Sequence, residues 1–113
     1  MRRTDRRALA VAVLDLMRAH PNEPMALSAW LTELNLDLPQ QYHFRSAKQL
    51  AQFFRYLSCV VLPATPPISV LPAYRLYRKK FELADGIERR SQTYYVLCPD
   101  TRNPAWTPPA LRA

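Results

Sequence analysis

From Asp5 to Ala19 the apolar residues return with the period of a helix: Leu9, Ala12, Val13 and Leu16 form one stripe at spacings of three and four. Thr4 or Asp5 can cap this first helix, over about 5–19, and Pro21 with Asn22-Glu23-Pro24 stops it. Val11 and Leu14 fall on the other side, which makes the helix apolar nearly all round. Such a helix needs either deep burial or a partner on its second face, so Val11 and Leu14 mark a possible homodimer seam. A second helix, over about 27–34, groups Ala26, Trp30, Leu31 and Leu34, and ends in Asn35-Leu36-Asp37-Leu38-Pro39.

The third helix, over about 47–59, carries the clearest signals. Ser46 and Gln49 have the spacing of a capping box, in which hydroxyl and amide each satisfy an orphan backbone N–H. Leu50, Phe53, Phe54, Leu57 and Val61 repeat as a narrow core stripe. The opposite face gathers Arg45, Lys48, Gln52, Arg55 and Cys59, with Gln49 and Tyr56 beside them, and no carboxylate. After Val61 the run Leu62-Pro63-Ala64-Thr65-Pro66-Pro67 reads as an extended linker that does not continue a helix.

From Tyr74 onward the period changes to two. The chain reads as a β-hairpin over about 74–97, turning at Asp85-Gly86, the one glycine of the sequence and the dipeptide that suits a two-residue primed turn. In that register Leu83 faces Glu88 and Tyr74 faces Leu97. One face then bears Tyr74, Leu76, Tyr95 and Leu97 at the root, with Arg78, Lys80, Glu82 and Arg89 toward the tip. The other face is mixed, with Arg75, Tyr77, Lys79, Phe81, Arg90, Gln92 and Tyr94. The Pro-rich tail, 99–113, shows no period, and Trp106 either docks on the body or anchors a partner.

These elements give an α+β chain, a three-helix N-terminal bundle followed by a basic β-hairpin, in a single domain over 1–98. Composition sharpens the reading. At 113 residues with 49% hydrophobic content there is enough apolar surface for one core without a metal or disulfide. Cys59 and Cys98 lack the spacing of a zinc site or disulfide scaffold. Arg2-Arg3 before the apolar Ala8–Leu14 copies the order of a secretory signal, but Asp15 and Arg18 cut the run and no small-x-small site follows. A cytoplasmic protein with no membrane partner is expected.

The formal charge of +7 is unevenly placed. Residues 1–40 hold five basic and five acidic side chains, whereas 41–98 hold nine basic and three acidic. A local excess of this kind is the footprint expected of a phosphate-binding surface, with a merely solvated basic face as the lesser alternative. Catalysis is not expected: His20 and His43 stand at no ligand or triad spacing, no acidic pair lies on the basic face, and one glycine cannot build a phosphate loop. No cofactor or metal is implied.

The order of helix, helix, capped helix and basic hairpin resembles the winged helix-turn-helix superfamily over roughly residues 5–98, in layout and charge placement. The resemblance implies a third helix in the DNA major groove and a hairpin wing on the backbone or minor groove. The residue types agree: Arg or Lys pairs with guanine edges and Gln with adenine edges, which selects Gln49, Gln52 and Arg55, with Lys48 on base or phosphate and Arg45 beside them. Arg78, Lys79, Lys80, Arg89 and Arg90 would supply affinity and its salt dependence. The expected function is binding of double-stranded DNA, as a dimeric transcriptional regulator or a replication or partition accessory. Two alternatives stand beside it. Arginine outnumbers lysine by 13 to 3, which also suits docking on an acidic protein surface, as in an adaptor or inhibitor of a mobile element. The hairpin tyrosines, used as stacking platforms, would suit RNA.

Overall fold

A computed structural model describes residues 3–20, 23–64, 73–85, 88–100, 103, 104 and 106, with the side chains of 3, 4, 83–85 and 88–90 left out of the description. Three main helices pack with a three-stranded antiparallel sheet, whose two long strands follow them in the chain. In chain order the elements are α1 (Arg3–Arg18), β1 (Met25–Ala26), α2 (Leu27–Asp37), α3 (Ala47–Tyr56), β2 (Tyr74–Asp85) and β3 (Glu88–Pro99). The sheet order is β1-β3-β2, with β3 in the centre. No helix among the described residues is long and apolar enough to cross a membrane.

The core lies between the helices and one face of the sheet. Leu9, Val13, Met17, Trp30, Leu34 and Leu50 are buried there against Leu76, Tyr95 and Leu97. Trp30 ties the two layers, because its buried indole N–H donates to the Tyr95 carbonyl at 2.8 Å and so meets the demand of a polar group taken from water. The short strand β1, not foreseen from the sequence, pairs Met25 with Tyr95 and Ala26 with Tyr94. Two residues with no alternation of their own carry no readable period; β3 supplies the partner that makes them a strand.

On α1 the buried arc is wider than the sequence stripe and rotated from it. Leu14 is only 8% exposed and belongs to the core, whereas Val11 is 61% exposed. The reason is that α1 touches both α2 and β3, and two neighbours cover the arc from Leu9 through Met17 to Leu14. Leu14 therefore cannot line an outer seam, which leaves Val11 alone of the expected pair.

The second helix runs on to Asp37, and Leu38 N–H donates back to the Leu34 carbonyl at 2.9 Å. The connection to α3 holds a 3-10 turn, Gln40–Tyr42, and two locks. Asn35 donates from Nδ2 to the Phe44 carbonyl and accepts from the Phe44 N–H, both at 2.9 Å. His43 Nε2 lies 2.7 Å from the Leu38 carbonyl.

Contrary to the linker reading, Leu62–Ala64 is helical. Between it and α3 the helix widens over Leu57–Val61, where the Leu62 N–H reaches the Leu57 carbonyl five residues back. The extra residue in this π-type turn eases the clash of a proline ring with the preceding turn, so Pro63 is tolerated inside a helix that a strict four-residue ladder would end. The rest of the expected linker, Thr65-Pro66-Pro67, lies outside the described residues.

The hairpin strands extend to Pro99, and their register differs from the expected one by two. Tyr74 pairs with Pro99, Leu76 with Leu97, Arg78 with Tyr95 and Asp85 with Glu88. The two residues between the last pair are Gly86 and Ile87, outside the described residues, instead of Asp85 and Gly86. A shift of two changes every cross-strand partner but no face, since side chains alternate with period two. Leu76, Arg78, Lys80 and Glu82 thus share the core-side face as expected.

Candidate functional site

Helix α3 begins at Ser46, whose Oγ accepts the Gln49 N–H at 3.2 Å. Gln49 completes the cap differently from the expected box: its Oε1 accepts the N–H of Arg45 at 2.7 Å, one residue before the cap. Both bonds fix the first turn of α3, with Leu50, Phe53 and Phe54 inward and Lys48, Gln52 and Arg55 exposed outward.

The sheet positions the other wall. Phe54 meets the ring of Tyr95 with centroids 4.7 Å apart, which brings α3 against the root of the hairpin. Beyond this contact, the same face of β2 continues as Arg78 and Lys80, both exposed. A groove of about 720 Å³ opens between the two elements. Lys48, Gln52 and Arg55 line it from α3 and Arg78 lines it from β2, while Phe54, Leu76 and Tyr95 form its floor. Ser58 and Cys59 enter the wall from the widened turn. Among the described residues that line the groove there is no carboxylate.

The expected site residues separate into groups. Lys48, Gln52, Arg55 and Arg78 converge on the groove. Lys80 shares the Arg78 face one pair farther along β2, and the register puts position 89 on that side too. Lys79 lies on the opposite face, with its Nζ 5.3 Å from the centroid of Phe81, and position 90 is on that face as well. The side chains of Arg89 and Arg90 lie outside the described residues. Arg45 and Gln49 are exposed at the start of α3 but do not line the groove. On their flank Arg6 stacks over the ring of Tyr56 at 3.9 Å, a cation on α1 that the sequence period did not place near α3.

The sheet face away from the groove is covered in part, with Arg75 and Lys79 on it exposed. Val96 and Cys98 are fully buried, Phe81 contacts Tyr94 at 5.2 Å, and Trp106 docks its ring 6.4 Å from Phe81. Three of the four hairpin tyrosines are engaged in packing: Tyr95 in the core, Tyr94 against Phe81, and Tyr74 under Arg18 at 5.0 Å, while Tyr77 has the Arg75 guanidinium 5.9 Å from its ring centroid. His20 sits apart from the groove, edge-on to Trp30 and 3.4 Å from Glu23. Among the described residues no group of three or more His, Cys, Asp or Glu is placed to hold a metal ion. No protein-family model matches the chain, and no curated protein or solved structure matches it at a significant level.

Proposed function

We propose that this protein binds double-stranded DNA, with α3 laid in the major groove and the hairpin against the backbone, as a cytoplasmic transcriptional regulator or a replication or partition accessory without catalytic activity. The observation that carries the reading is the convergence of Lys48, Gln52 and Arg55 from α3 and Arg78 from β2 on one groove whose described lining residues include no carboxylate. Donors on an exposed helix suit base edges, and cations on a projecting strand suit phosphates. The placement of most of the +7 charge between residues 41 and 98 adds long-range attraction for a polyanion. The winged helix-turn-helix resemblance assigns the same parts to the same roles, although the connection from Leu38 to Ser46 is longer than the turn of about 3 or 4 residues such a motif uses.

The test is an anisotropy titration with random duplex at several salt concentrations, followed by selection of a preferred site. Arg55→Ala is expected to weaken the preferred site by about 1–3 kcal/mol and random duplex much less. Lys80→Ala is expected to weaken both alike and to flatten the salt slope by about one unit. Equal losses for the two variants on every duplex would remove groove reading from the proposal. No binding even at low salt would shift the reading to an acidic protein partner.

A further inference from the structure

Arg6 belongs to α1, but the fold carries it to the flank of α3. Its guanidinium carbon lies 3.9 Å from the centroid of the Tyr56 ring, and Tyr56 is braced in turn by Phe53, with ring centroids 5.6 Å apart. Phe53 is part of the core, so the ring beneath Arg6 is fixed to the body of the protein. A guanidinium over a ring is held through its face, and its N–H donors, which lie in its plane, are left for another partner. Arg6 is exposed, and among the described residues no carboxylate forms an ion pair with it.

At about 100° per residue, Ala51 falls on the flank of α3 that turns to β2 and lines the groove with Arg78, whereas Tyr56 falls on the opposite flank. Lys48, Gln52 and Arg55 occupy the arc between them. Arg78 and Arg6 therefore bracket the outward face of α3. A helix with its side chains is about 10–12 Å across and the major groove of a duplex about 12 Å wide, so a helix laid in that groove has a phosphate chain along each flank.

We infer that Arg6 is a second phosphate contact, taking the DNA strand on the α1 flank of α3 while Arg78 takes the strand on the hairpin flank, and that Tyr56 is the positioning residue of Arg6. The inference rests on the DNA-binding reading and adds to it a clamp on both strands. Contact on both flanks resists the roll of α3 about its own axis, which contact on one flank leaves open.

The experiment is an anisotropy titration of the full chain with random duplex and with the selected site at several salt concentrations, joined to ethylation interference on both strands of the selected site. Arg6→Ala is expected to weaken both duplexes alike by about five- to ten-fold and to flatten the salt slope by about one unit. Arg18→Ala, which removes an equal charge from the other end of α1, is expected to change affinity by less than about two-fold. In the interference pattern Arg6→Ala should lose phosphates of one strand and Arg78→Ala phosphates of the other. Tyr56→Leu is expected to cost about two- to five-fold, and Tyr56→Phe, which restores the ring face, to bind as the native chain does. Circular dichroism of each variant separates lost binding from lost folding. Native duplex binding that Arg6→Ala leaves unchanged, an equal loss in Arg18→Ala, or loss of phosphates on the same strand as Arg78→Ala would each overturn the clamp and spare the DNA-binding reading. An equal loss in the Phe and Leu variants of Tyr56 overturns the positioning role alone. A native chain that binds no duplex overturns both readings together.

Discussion

Gln49 and Gln52 sit three residues apart on α3 and are both exposed, yet they are not equivalent. Reading adenine requires a glutamine to present its carbonyl and its amide together. The Gln49 carbonyl is held by the Arg45 N–H at 2.7 Å, while Gln52 lines the groove. Gln52→Ala is therefore expected to change base preference in site selection with little change in stability. Gln49→Ala should lower stability by about 1 kcal/mol in urea unfolding, as lost caps do, and keep the preferred site. Reversed outcomes would show that the cap bond breaks on binding. The Ser46–Gln49 spacing was legible because a cap is a local pattern; which N–H the amide takes depends on how Arg45 enters the helix, and no spacing reports that.

At the scale of elements, the core stripe of α3 and the two faces of the hairpin could be read from the sequence, since each follows from a backbone period alone. The end of α3 and the hairpin register could not. Pro63 argued for a stop, and the widened turn at Leu57–Val61 removes the reason for one. The register turned on which two residues form the loop, and a glycine at position 86 fits either order. The link between α2 and α3 is the element whose stability has the plainest consequence. Asn35→Ala breaks both bonds to Phe44 and leaves a partly buried N–H and carbonyl unmet, an expected loss of about 2 kcal/mol in urea unfolding. Because those bonds set where α3 starts, duplex affinity should fall in the folded variant too. Full affinity in that variant would mean that α3 is placed by its core stripe alone.

For the whole molecule, the decisive changes from the sequence reading concern which surfaces meet. Val11 and Leu14 looked like neighbours on one free side of α1, but Leu14 is core and Val11 is outside. Leu14→Lys is expected to destabilise by about 3 kcal/mol or more, whereas Val11→Lys should stay within about 0.5 kcal/mol. Sedimentation of the Val11 variant then tests the dimer directly: if the native chain is a dimer through this face, Val11→Lys sediments as a monomer, and an unchanged dimer places the interface elsewhere.

The amino-acid order alone determined the three helices, the alternation of the strands, the cap of α3 and the concentration of positive charge after residue 40. All of these are properties of residues within a few positions of one another, or simple sums along the chain. Tertiary structure decided which arc of α1 is covered, that Met25-Ala26 becomes a strand, that the far face of β3 is buried at Val96 and Cys98, and that Arg78 comes to stand across from Arg55. Those outcomes depend on how many neighbours an element finds and at what angle, and a period along one segment holds no record of the segment packed against it.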